Sequence, residues 1–152
     1  MTASQLEAAV EGQADRVLVV KSERTLYLMR EGEPYRSYPV SLGSSPRGHK
    51  RFSGDARTPE GVYWLEYKNS GSPFYRSIRI SYPNEEDRAH ARALGLDPGG
   101  DIMIHGQPLD SEWPEEVSLM FDWTNGCIAV TNDAMEEIWS QVPVGTLIEI
   151  RP

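Results

Sequence analysis

The chain has 152 residues, with 23 acidic against 15 basic side chains and a net charge of −8 at neutral pH. That length suits one domain with a core of its own, and that charge argues against a global electrostatic grip on nucleic acid or an anionic bilayer. An apolar fraction of 39% with 25% charged residues excludes a disordered chain. One cysteine, Cys127, excludes an internal disulfide and a cysteine-cluster metal site.

The first fifteen residues are polar and form a segment apart, in which residues 4–14 fit a short helix with Leu6 and Val10 at helical spacing. They show no basic stretch followed by an apolar one, so no secretory signal is visible. Cytoplasmic residence, a trimmed signal and another export route all stay open. No stretch approaches the ~18–20 apolar residues of a membrane span.

From Arg16 onward the pattern is β. Val17–Val20 is a short β-branched run, Lys21–Arg24 a turn, Thr25–Met29 a second strand, Glu31–Pro34 a second turn and Tyr35–Leu42 a third strand, together a meander. Gly43–Pro59 reads as a long loop. Strands follow over Gly61–Tyr67 and Tyr75–Tyr82. Asn84 is placed to cap a helix that Gly95 ends, with Asp87 at its third position. Asp97-Pro98-Gly99-Gly100 is a turn. Ile102-Met103-Ile104 has the continuous apolar run of a strand buried on both faces. Pro108–Pro114 is irregular, Ile128–Val130 a short strand, and a cap within Thr131–Asp133 opens a helix to about Gln141. Thr146–Ile150 is the last strand. Residues 16–152 are therefore one mainly β domain (α+β) with two short helices.

Two polar residues interrupt this pattern at loop–strand junctions, 22 positions apart, each with a glycine beside it. His105-Gly106 ends the apolar run at Ile104, and Gly126-Cys127 feeds Ile128-Ala129-Val130. A lone cysteine also suits a small buried hydrophobe, and a histidine there suits a structural role. Together they suit a Cys–His pair, in which the imidazole takes the thiol proton and the thiolate attacks an acyl carbonyl. The oxyanion needs donors in place, and the backbone N–H groups at Gly126 and Cys127 are candidates. The thioester would pass to water or to an amine.

The strings Ile102-Met103-Ile104-His105-Gly106 and Thr124-Asn125-Gly126-Cys127-Ile128-Ala129-Val130-Thr131-Asn132 resemble the L,D-transpeptidase catalytic domain (YkuD family), which carries His-Gly, a spacer and then Ser/Thr-x-Gly-Cys. Gly54–Tyr63 resembles the loop that family places before a strand. The resemblance runs from about Arg16 to Ile150. It implies a β-sandwich-like catalytic domain over 16–152, Cys127 as nucleophile and His105 as general base and acid. It further implies that Gly106, Gly126, Thr124 and Asn125 shape the turns and the oxyanion hole. The reaction implied is attack on an amide of the peptidoglycan stem peptide after its third-position diamino acid. Its outcomes are 3→3 cross-linking, attachment or release of an envelope lipoprotein, or carboxypeptidase trimming, and its place is the periplasm or cell envelope. Many members have His where Asn125 stands and Arg where Ala129 stands; Thr-x-Gly-Cys-Ile-Ala-Val resembles a Gram-negative subgroup, some of whose members detach lipoprotein. A non-catalytic wall-binding module of the same fold is the competing reading.

Arg47, His49, Lys50, Arg51 and Arg57 form a basic island with Asp55 as its one acid. Stem peptides carry carboxylates, so Arg47, Lys50 and Arg57 are candidate substrate contacts, with a solvated loop as the alternative. Trp123 is a candidate groove wall. Trp64, Trp113 and Trp139 suit core or cleft walls, His90 a helix surface, and Glu136-Glu137 the start of a helix, where they favour its dipole. Three histidines and one cysteine, widely spaced, show no metal-ligand pattern, so no metal or cofactor is expected.

Overall fold

The computed structural model of the protein describes residues 13–152; the helix expected over 4–14 lies almost wholly outside them. The strands are β1 (Arg16–Val20), β2 (Thr25–Arg30), β3 (Glu33–Pro39), β4 (Gly61–Asn69), β5 (Ser77–Ile80), β6 (Met103–His105), β7 (Ile128–Ala129) and β8 (Leu147–Arg151). The helices are α1 (Glu85–Ala93), a single turn α2 (Glu115–Ser118) and α3 (Asn132–Gln141). Val17 and Val19 of β1, Leu26 and Leu28 of β2, and Ile148 and Ile150 of β8 alternate with more exposed neighbours and are all buried. This period of two turns one face of each strand into the core, where each such side chain contributes about 1.5–3 kcal/mol.

All eight strands belong to one sheet in the order β3-β2-β1-β8-β4-β5-β6-β7. The meander β1-β2-β3 is antiparallel as expected. The last strand, β8, lies in the middle, parallel to β1 and antiparallel to β4. Just beyond β3, Ser41 and Ala129 exchange two backbone hydrogen bonds of 2.9 Å, so the β3 and β7 edges of the sheet meet. Ala134, Met135 and Ile138 of α3 close the core.

Both longer helices start on side-chain caps. Asn84 accepts from the Asp87 N–H at 2.8 Å while the Asp87 carboxylate accepts from the Asn84 N–H at 3.0 Å, a reciprocal cap. The Thr131 hydroxyl accepts from the Ala134 N–H. Two expectations need correction. Met103 is half-buried, because one face of β6 opens on a cleft and only Ile102 and Ile104 are in the core. Glu136 and Glu137 lie past the first turn of α3 and act laterally: Glu136 meets Tyr75 and Arg76, and Glu137 meets Arg36 and Tyr38.

The segment 40–60 is a loop, as its Gly, Ser and Pro content suggests, and buried polar groups hold it. The Lys21 ammonium donates to the carbonyls of Gly48 and Thr58 at 2.9 and 2.8 Å and pairs with Glu60. His49 Nδ1 accepts from the Glu60 N–H at 2.7 Å, so its Nε2–H donates to Asp87 at 2.8 Å. These bonds fix the loop to Lys21, just after β1, and to Asp87 of α1.

Candidate active site

His105 is the last residue of β6 and Cys127 immediately precedes β7. These strands are parallel, with Ile104 beside Ile128 and His105 beside Ala129. Continuing that register puts Cys127 next to Met103, on the face that His105 shares. Both side chains line one cleft of about 490 Å³, together with Phe74, Asp101, Met103, Trp123, Thr124 and Asn125.

The turn before Cys127 is tied by one hydroxyl. Thr124 Oγ1 donates to the Cys127 carbonyl at 2.7 Å and accepts from the Gly126 N–H at 3.1 Å. Gly126 has φ +133°, and a Cβ there would lie 2.7 Å from the Arg57 carbonyl oxygen and 2.9 Å from Ile102 Cδ1. Both backbone freedom and space therefore require glycine. Gly106 is held for space alone: a Cβ would meet the Tyr75 carbonyl at 2.6 Å and Asn132 Oδ1 at 2.7 Å. The Gly126 N–H, expected to be free as an oxyanion donor, is already engaged by Thr124. The Cys127 N–H makes no hydrogen bond among the described residues.

His105 is fully buried, with Nδ1 2.7 Å from the Gly106 carbonyl oxygen. A carbonyl only accepts, so Nδ1 carries the proton and the lone pair is on Nε2. Nε2 is buried and has no partner. Burial pushes this histidine down to about 4, against the raising effect of the Gly106 carbonyl. The Phe74 ring stacks on the imidazole and Trp123 is tilted against it, 5.9 Å between centroids. Burial pushes the Cys127 thiol up to about 11; the Met103 backbone N–H and the Lys50 ammonium oppose that rise, and the Asp101 carboxylate adds to it. Cys127 Sγ–H donates to the Asp101 carbonyl at 3.3 Å. At neutral pH the site therefore holds a neutral thiol and a neutral imidazole, not an ion pair.

Asp101 sits in the left-handed region at φ +54°, with its carboxylate 2.9 Å from Arg79. That conformation turns its carbonyl to the sulfur. In sequence its only signal is its place between the Pro-Gly-Gly turn and an apolar run. Phe74 carries no signal at all; it reaches His105 because its backbone bridges to Pro108.

The basic island does not reach across this cleft. Lys50 is buried, 2.9 Å from Asp55 in a pair whose side chains are each 3% exposed. Three backbone N–H groups, of Arg51, Phe52 and Arg57, also converge on Asp55. Arg47 lines a separate depression with Lys21, Arg24 and Glu60. The Arg57 guanidinium lies beside Gly48. Within the loop Asp55 neutralises Lys50, and the arginines of the island do not line the cleft. Lys50 instead packs under Gly99, two residues before Asp101, and borders a small recess shared with Asn125. Trp123 does line the cleft, Trp64 and Trp113 are exposed, Trp139 is half-buried under the Arg76 guanidinium, and His90 is exposed. Among the described residues, no cluster of three or more His, Cys, Asp or Glu side chains could hold a metal ion.

A buried histidine at the end of β6 and a half-buried cysteine just before β7, preceded by a Thr-x-Gly turn, are set in a domain that matches the L,D-transpeptidase catalytic domain model over residues 14–150. The chain belongs to the L,D-transpeptidase (YkuD) family. It is 34% identical over 143 residues to YafK of Escherichia coli K12, assigned by name to the L,D-transpeptidases, covering 90% of this chain and 50% of that protein. YqjB of Bacillus subtilis, assigned by name likewise, is 28% identical over 138 residues, 88% of this chain and 69% of that protein. Among solved structures, the helical cell shape determining protein Pgp2 of Campylobacter jejuni superposes with a TM-score of 0.66 at 27% identity, covering 89% of this chain and 46% of that one. An L,D-transpeptidase of Mycobacterium smegmatis shares the fold, with a TM-score of 0.59 at 16% identity. This L,D-transpeptidase domain spans about half the length of YafK and of Pgp2. No helix among the described residues is long and apolar enough to cross a membrane.

Proposed function

We propose that this domain is a cysteine acyltransferase of the cell envelope or periplasm, acting on peptidoglycan stem peptides through a thioester on Cys127. The observation that carries the reading is the tautomer of His105: its proton is committed to the Gly106 carbonyl, and an unpartnered Nε2 lone pair remains in the cleft that holds the only thiol.

In the first step the thiol proton leaves the Asp101 carbonyl for His105 Nε2, and sulfur attacks the amide carbon beyond the diamino acid. Because thiol and imidazole are both neutral at rest, proton transfer accompanies attack. The oxyanion is received by the Cys127 N–H, and Thr124 keeps that backbone in place. Collapse breaks the C–N bond, and Nε2–H gives its proton to the leaving amine. In the second step an amine or water attacks the thioester, its proton passes to Nε2, the C–S bond breaks, and the sulfur regains a proton. Trp123 and Asn125 line the space the stem would occupy. Lys50 acts as a positioning residue under the 97–101 turn. Cross-linking, lipoprotein attachment and trimming differ in the group that meets the thioester, whereas lipoprotein release differs in the amine that leaves as the thioester forms, water then taking the acyl group.

The test incubates the protein with a defined disaccharide tetrapeptide, alone and with an amine acceptor or a lipoprotein-linked stem, and reads products by mass spectrometry. Loss of D-alanine alone means trimming, a dimer means cross-linking, and freed lipoprotein means release. No product under all three conditions refutes the enzyme reading and leaves the wall-binding module.

A further inference from the structure

On the far side of Trp123 from Cys127 the surface holds a second cavity, about 290 Å³, lined by Pro108, Trp113, Val117, Phe121 and Trp123 itself. Its walls come from the irregular stretch 108–123, which contains only the single-turn α2. This stretch exposes Leu109, Trp113, Met120 and Phe121 at 69, 69, 75 and 60%. Large apolar side chains clustered in this way mark a docking surface when something covers them.

Charge identifies the occupant. From Pro108 to Trp123 the chain carries Asp110, Glu112, Glu115, Glu116 and Asp122, and no Lys or Arg. Asp122 is taken by Arg24 at 2.9 Å, and Glu115 accepts from the Asn132 N–H. Asp110, Glu112 and Glu116 are exposed and have no ion-pair or hydrogen-bond partner among the described residues. A stem peptide with its carboxylates would meet repulsion here. Trp123 forms a wall shared by this groove and the catalytic cleft.

We propose that this groove seats a cationic polypeptide segment, anchored by an apolar or aromatic side chain, next to the catalytic cleft. The apolar anchor fills the space between Trp113 and Phe121. Its Lys or Arg neighbours meet Glu112, Glu116 and Asp110 at the rim, giving orientation and a salt-sensitive encounter. The inference concerns binding and does not depend on the thioester chemistry, so the two can fail separately.

The test uses fluorescence anisotropy with a labelled nonapeptide alternating Lys with Phe and Leu, and its counterpart with Glu for Lys. The Lys peptide binds at least about 10-fold tighter than the Glu peptide. The exposed-site variants Trp113→Ala and Phe121→Ser each weaken it about 10-fold, and Glu112→Lys/Glu116→Lys removes the preference, while circular dichroism and product formation from the tetrapeptide stay unchanged. Equal affinity for the two peptides, indifference to these substitutions, or displacement by a chitooligosaccharide, which would make the groove a glycan site, overturns the proposal.

Discussion

The Phe74 ring lies on the His105 imidazole, 3.7 Å between centroids and 16° from parallel. This contact dries one face of the base and fixes its plane, and burial is what holds His105 down to about 4. Phe74→Ala admits water to that face. The histidine then titrates closer to its ordinary value near 6.5, and turnover falls on the order of 10-fold as the ring loses its orientation. Phe74→Leu keeps most of the desolvation and moves both quantities less. NMR titration of the imidazole reads the first effect and kcat the second.

The resting charge state makes a prediction about reactivity. With a thiol held up at about 11, Cys127 reacts slowly with iodoacetamide at pH 7, and the rate rises steadily through pH 9 and 10. A preformed thiolate–imidazolium pair would instead give a fast plateau that begins below neutrality. Lys50→Met removes a cation that lowers this thiol and shifts the alkylation profile further to the alkaline side. The same change leaves Asp55 buried without its ion partner and costs about 3 kcal/mol in denaturant unfolding.

The same two groups also contribute to the pH dependence of stability. Between about pH 4 and 6.5 the unfolded chain binds a proton at His105 that the native state refuses, so stability falls as pH drops through that window. Between about 9 and 11 the native state keeps the Cys127 proton that the unfolded chain has lost, so stability falls as pH rises. Cys127→Ser lessens this decline and leaves the share of the buried tyrosines Tyr38, Tyr63 and Tyr82, whose hydroxyls burial also pushes up. Urea unfolding of the two proteins from pH 7 to 11 checks this, and parallel curves would refute the placement of the thiol.

Gly126→Ala forces a side chain into φ +133° and against the Arg57 carbonyl. The backbone conformation alone costs about 1–3 kcal/mol, and any relief moves the Cys127 N–H. The expected outcome is a lower melting temperature together with loss of product formation. Thr124→Val, which keeps the volume and removes both hydrogen bonds of the hydroxyl, loses activity with a smaller change in melting temperature.

Much of this was legible in the residues. A β-branched run marks β1, the turns around Thr25–Met29 mark β2, the Asn84–Asp87 cap marks α1, and His105-Gly106 with Thr124-Asn125-Gly126-Cys127 marks the site's two junctions. What was not legible depends on distant pairing. No local pattern places β8 between β1 and β4, because side-chain period reports burial and not the partner strand. The Lys50 cation looks free in sequence because Asp55 counts as one acid among five bases, whereas in space it is the pair that matters. Phe74 and the Asp101 carbonyl join the site through backbone geometry, which residue type does not encode.

The central claim is that Cys127 becomes acylated, and intact-protein mass spectrometry reads that directly. The protein is mixed with a disaccharide tetrapeptide and quenched in acid at short times. The account predicts a covalent adduct of the shortened stem on Cys127, with one D-alanine released per adduct, and neither adduct nor D-alanine with Cys127→Ala. D-alanine release by Cys127→Ala at the rate of the unaltered protein, or turnover attended by acylation at any other residue, would contradict it.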